Sequence, residues 1–92
     1  MKVLILIWCK HPANANNSLL TFRTLRTGFP SSEVVVYDNA SIIGEQTKRL
    51  CQEVGAQYFR FEKEIRHHAY LKLILLNEPN AILVDPDIIF WE

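Results

Sequence analysis

Apolar residues along this chain recur in two rhythms, and the alternation between them sets out the elements. Val3–Trp8 is a continuous apolar run rich in branched side chains, the pattern of a strand covered on both faces. Asn16, Asn17 and Ser18 offer caps for a helix that turns Leu19, Leu20, Phe22 and Leu25 inward and Arg23 and Arg26 outward, with Gly28 and Pro30 ending it. "EVVVYD" (33–38) reads as a second strand. Ser41 can cap a second helix whose Ile43, Thr47, Leu50 and Val54 share one stripe, closed by Gly55. "AQYFRFE" (56–62) alternates, with Phe59 and Phe61 on one side and Tyr58 and Arg60 on the other, as a more exposed third strand does.

"EIRHHAYLKLILLNEPN" (64–80) reads as a third helix, nearly all apolar from Ala69 to Leu76 and stopped by Asn77 and Pro79. "AILV" (81–84) is a fourth strand, and "IIFW" (88–91) continues extended after the Asp85-Pro86-Asp87 interruption. The order β-α-β-α-β-α-β predicts an α/β domain over 1–92: three layers, α/β/α, with a mainly parallel sheet and right-handed crossovers.

Composition sharpens this picture. A 49% hydrophobic and 22% charged chain has the apolar material for one small folded core. Ten basic residues balance ten acidic ones, so no long-range field draws nucleic acid or an anionic membrane. The first apolar run is too short to span a bilayer, no small-residue cleavage site follows it, and no transmembrane segment is expected. Cys9 and Cys51 read as reduced, buried thiols, which points to a cytoplasmic setting.

Ligands of open parallel sheets bind beyond the carboxyl ends of the strands. Cys9–Lys10, Asp38–Asn39 and Asp85–Asp87 all fall at such ends. Two carboxylates one residue apart can approach a hard cation together, one directly and one through water, and such a cation neutralises a diphosphate. The bland reading makes Asp85-Pro86-Asp87 a solvated turn, Asn39 a turn former and Ser41 a helix cap. His67 and His68 point about 100° apart on a helix, so both cannot easily chelate one ion. Trp8 and Trp91 read as core aromatics, and Arg23 and Arg26 as a solvated helix face. No Ser-His-Asp order, paired-Cys motif or Gly-rich phosphate loop is present.

"EVVVYDNAS" (33–41) resembles the second-strand motif of GT-A glycosyltransferases of the family 2 type, and "NAILVDPDIIFW" (80–91) is similar to their Asp-X-Asp segment. The resemblance extends over nearly the whole chain, as the nucleotide-binding half of such an enzyme. It implies a Rossmann-like sheet in the order 3-2-1-4. It also implies that Asp38, with Asn39 beside it, contacts the nucleotide, and that Asp85 and Asp87 serve Mn²⁺ or Mg²⁺ and the diphosphate of a nucleotide-diphospho-sugar. The segment from Cys9 to His11 approaches the nucleotide in that family, and Arg66 stands where a group faces it. "WCKHPANANN" (8–17) departs from the common Pro-Thr-Tyr-Asn pattern. The family's general base and acceptor surface lie downstream of the Asp-X-Asp segment, so the chain is expected to need further chain or a partner for catalysis. The alternative is a non-catalytic binding or interaction module of the same fold. An uncharged "IIFW" at a sheet edge predicts a homodimer through the C-terminal strand.

Overall fold

The computed structural model describes residues 2–78 and 80–84, apart from the side chains of Ala13, Asn14, Asn17, His67 and His68. The elements run β1 (Lys2–Ile7), α1 (Pro12–Gly28), β2 (Glu33–Asn39), α2 (Gly44–Val54), β3 (Gln57–Phe61), α3 (His67–Asn77) and β4 (Ala81–Val84). The four strands form one parallel sheet in the order β3-β2-β1-β4. β1 is central and pairs Ile5 with Val36 on one side and with Val84 on the other. Its unbroken apolar run follows from that position, because each face of the strand meets a layer of helix.

Alternation along the strands divides the core in two. Val3, Ile5 and Ile7 of β1 and Val34 and Val36 of β2 pack with Phe22 and Leu25 of α1 and Leu50 and Cys51 of α2. Leu4 and Val35 point the other way, onto Tyr70 and Ile74 of α3. Full burial of each large apolar side chain contributes about 1.5–3 kcal/mol, so the α1/α2 face supplies most of the stabilisation. Cys9 and Cys51 are both free and buried. Among the described residues no helix is long and apolar enough to cross a membrane.

Four local expectations need correction. Helix α1 begins at Pro12, not after Ser18, because a proline in the first turn gives up an amide that has no helical partner anyway. Ser41 does not cap α2; its buried Oγ accepts the Cys9 amide at 2.8 Å and ties the end of β1 to the β2–α2 loop. Arg26 is no solvated charge. Its guanidinium donates to the carbonyls of Val54 (2.8 Å), Phe29 (3.0 Å) and Ser32 (2.7 Å), joining the ends of both helices to the approach to β2. Leu20 lies at the rim of α1 rather than in the core. The α2 stripe holds as read, and Gly55 closes that helix at φ +71°, a left-handed conformation that glycine takes without strain.

Candidate functional site at the carboxyl edge

The carboxyl edge of the sheet is where β1, β2 and β3 release their chains, and two different structures stand there. Asp38 and Asn39 are consecutive at the end of β2, so their side chains leave on opposite faces of the sheet. Asp38 enters the α1/α2 layer and has no exposed surface. One carboxylate oxygen accepts the Ser41 amide at 2.8 Å. The other accepts the Tyr58 hydroxyl and, at 3.0 Å, Nη1 of Arg60, which also donates to the Ser41 carbonyl at 2.9 Å. Tyr58 and Arg60 reach Asp38 because they are alternate residues on one side of β3.

Gly44 makes room for this arrangement, since a Cβ there would overlap the guanidinium of Arg60. Burial, followed by the hydrogen bond to Asp38, pushes the Tyr58 hydroxyl well above its ordinary pKa. Burial and then the Asp38 charge raise the Cys51 thiol from 9.0 to about 12. Within the described structure the Asp38 carboxylate is committed to the fold. An open cavity of about 450 Å³ adjoins the knot, but Lys48 and Arg60 on its walls are balanced by Glu45 and Glu62.

Asn39 enters the α3 layer. Its Nδ2 donates to the Ile65 carbonyl at 2.8 Å and its Oδ1 accepts the Ile65 amide at 2.9 Å. This pair fixes the segment between β3 and α3, and with it Glu64 and Arg66. A second cavity of about 380 Å³ opens there, lined by Trp8, Asn39, Glu64, Ile65 and Arg66. Trp8, expected in the core, is 54% exposed. It follows the last residue of β1, beyond the helix layers, and its indole N–H donates to a Glu64 carboxylate oxygen. Lys10 lies 4.0 Å from the same carboxylate and donates to the Ala40 carbonyl at 2.6 Å. Ala40 turns the chain out of β2 at φ +54°.

Of the residues singled out from sequence, Asn39 and Arg66 line one cavity, Asp38 backs onto its neighbour, and Asp85 and Asp87 lie outside the described residues. So does Pro86-flanked "IIFW", and so do the side chains of His67 and His68. Among the described residues no group of three or more His, Cys, Asp and Glu gathers as a metal site. Sequence reasoning missed Tyr58, Arg60 and Glu64 as members of the edge. For Arg60 a signal existed: a cation on the strand side that also carries Tyr58 needs a buried partner. Glu64 is an ordinary acidic residue in "FEKEIR" and carried none.

No protein-family model, curated protein or solved structure matches the chain.

Proposed function

We propose that this chain binds a nucleoside-diphosphate group at the carboxyl edge of its sheet, as the nucleotide-binding half of a GT-A-type glycosyltransferase. The observation that carries this reading is the cavity between the ends of β1 and β2 and the lead into α3. It joins an exposed tryptophan to an arginine at the mouth of a parallel α/β sheet, the place where such sheets take ligands. Trp8 supplies a flat apolar surface for a base, and Arg66 supplies a cation for phosphate.

In this reading Asn39 is a positioning residue that holds the cavity wall through Ile65, and Asp38 acts through the loop it anchors. Asp85 and Asp87 would hold the divalent cation, Mn²⁺ or Mg²⁺, whose charge would neutralise the diphosphate as it leaves. The chain's contribution in this reading is to bind and orient a nucleotide-diphospho-sugar. A homodimer through the C-terminal strand belongs to the same proposal. It is supported by the exposed Ile82 and Leu83 on β4, an edge strand of the sheet.

Thermal melting with UDP or GDP, with and without Mn²⁺, tests the binding reading. At a nucleotide concentration about a hundred times Kd, the fold should gain roughly 2.7 kcal/mol, with the larger part dependent on metal. Asp87→Ala should remove the metal-dependent part. No shift with either nucleotide, metal present, would favour a non-catalytic module of the same fold. Sedimentation of the wild type against Ile89→Lys with Trp91→Lys tests the dimer.

A further inference from the structure

The lining of the Trp8 cavity also carries information about which base it accepts, an inference that rests on the nucleotide reading. Each polar group on the wall can be followed to its partner. One N–H and one lone pair of the Asn39 amide are taken by the Ile65 backbone, and the side chain is buried, so it presents little to a ligand; the Ile65 amide is taken by Asn39. The indole N–H of Trp8 is taken by Glu64. The exposed lining groups with hydrogen-bonding capacity beyond the contacts described are the Glu64 carboxylate, which has up to four acceptor positions, and the Arg66 guanidinium.

A carboxylate is out of place in a cavity meant for a polyanion unless it faces a part of the ligand that donates hydrogen bonds. Arg66 suits the phosphates, and the hydrogen bond from the Trp8 indole N–H sets the Glu64 carboxylate beside the ring on which a base would stack, at the base edge rather than at the ribose hydroxyls. The bases differ in what they can offer a carboxylate. Guanine presents two adjacent donors on its pairing edge, a ring N–H and an amino group, and these match the two oxygens. Uracil presents one N–H between two carbonyls, which repel the second oxygen. Adenine presents an amino group beside a bare ring nitrogen. Trp8 stacks under any of the three and does not discriminate.

We infer that the ligand is a guanine nucleotide, with the base against Trp8 and its paired donors on Glu64. Glu64 is therefore the specificity-determining residue of the cavity. Lys10, anchored on the Ala40 carbonyl, lies 4.0 Å from the same carboxylate and helps to hold it.

The test is calorimetric titration of the full chain with GDP, UDP and ADP, each with Mn²⁺. GDP should bind at least about tenfold more tightly than the other two, the discrimination expected of one good two-point contact to a base edge. Glu64→Gln, which keeps the shape but exchanges one acceptor for a donor, should erase most of that preference. Trp8→Leu should weaken GDP and UDP alike, by about tenfold. Equal binding of GDP and UDP by the wild type, or a preference for UDP, overturns the assignment of Glu64 and leaves the nucleotide reading standing. Failure of all three nucleotides to bind overturns both. The wild-type comparison needs no variant, so misfolding of Glu64→Gln could not rescue the inference.

Discussion

Asp38 and Asn39 are neighbours in sequence with similar side chains, yet they build opposite kinds of structure. On the Asp38 side every carboxylate contact is internal: a backbone amide, a phenol and a guanidinium close around it with no exposed surface. On the Asn39 side the amide is equally satisfied, but by backbone alone, and the side chains it places, Glu64 and Arg66, stand in the open. A closed knot spends its charges on stability, because each partner removed leaves others buried and unpaired. An open wall built on a satisfied amide leaves its charges facing solvent. The difference comes from which helix layer each side chain enters, a matter of one residue in strand alternation.

Removing the knot should have the largest effect. Asp38→Ala leaves the Ser41 amide and the Tyr58 hydroxyl without their acceptor and Arg60 without its counter-charge. A loss of about 3 kcal/mol in urea denaturation is expected, near the lower end for a broken buried pair because Arg60 is partly exposed. A loss below about 1 kcal/mol would show that the carboxylate is not the centre of that side. Asn39→Ala should cost about 1–3 kcal/mol, the penalty for two lost hydrogen bonds to the Ile65 backbone. It should also raise amide exchange at Ile65 and weaken nucleotide binding, whereas Asp38→Ala should disturb Ser41 and β3 first.

Alkali should act on the closed side. The Cys51 thiol is raised by burial and by Asp38 from 9.0 to about 12, and burial also raises the Tyr58 hydroxyl. In the unfolded chain these groups ionise at their ordinary values, so above pH 9 the folded state holds more protons than the unfolded one. Their contribution is complete below that pH and is lost as pH rises toward the folded values. Melting temperature should therefore fall from about pH 9 upward, and Cys51→Ala should move the onset closer to 10, where tyrosine ionises. An unchanged onset would place the alkaline sensitivity elsewhere. The smallest effect belongs to the open side: Trp8→Leu should alter folding stability by no more than about 0.5 kcal/mol, since the indole is mostly exposed. A large loss would make Trp8 a structural residue after all.

Periodicity alone located all seven elements, because the strands alternate or run apolar and α2 keeps its stripe to the glycine that ends it. Sheet order was not in the periodicity; it came with the likeness of "EVVVYDNAS" and "NAILVDPDIIFW" to a known pair of motifs. Helix α1 was shortened because Asn16–Ser18 look like caps, while the true start rests on a proline. Trp8 was misplaced because hydrophobicity reports what a residue can bury, not whether a layer remains above it at a strand's end. Tyr58 and Glu64 were illegible as edge residues, and the partner of Arg60 could not be named, since each meets its partner at least 20 positions away in sequence. Local pattern cannot report such pairings.

The placement of β1 in the sheet has a kinetic consequence. β1 is made before the other three strands, it carries the longest apolar run among them, and it is flanked on both sides. One neighbour, β2, follows closely, but the other, β4, pairs Ala81 with Lys2 across almost the whole chain. At about 5–20 residues per second the nascent β1 waits on the order of ten seconds for its second partner, with an open hydrogen-bonding edge meanwhile. Closing so long a loop also slows refolding from denaturant, in the manner of sheets dominated by non-local pairing. The half-built sheet β3-β2-β1 is thus the species that chaperones would meet, and weakening β4 should raise unfolding and aggregation during synthesis more than it lowers equilibrium stability.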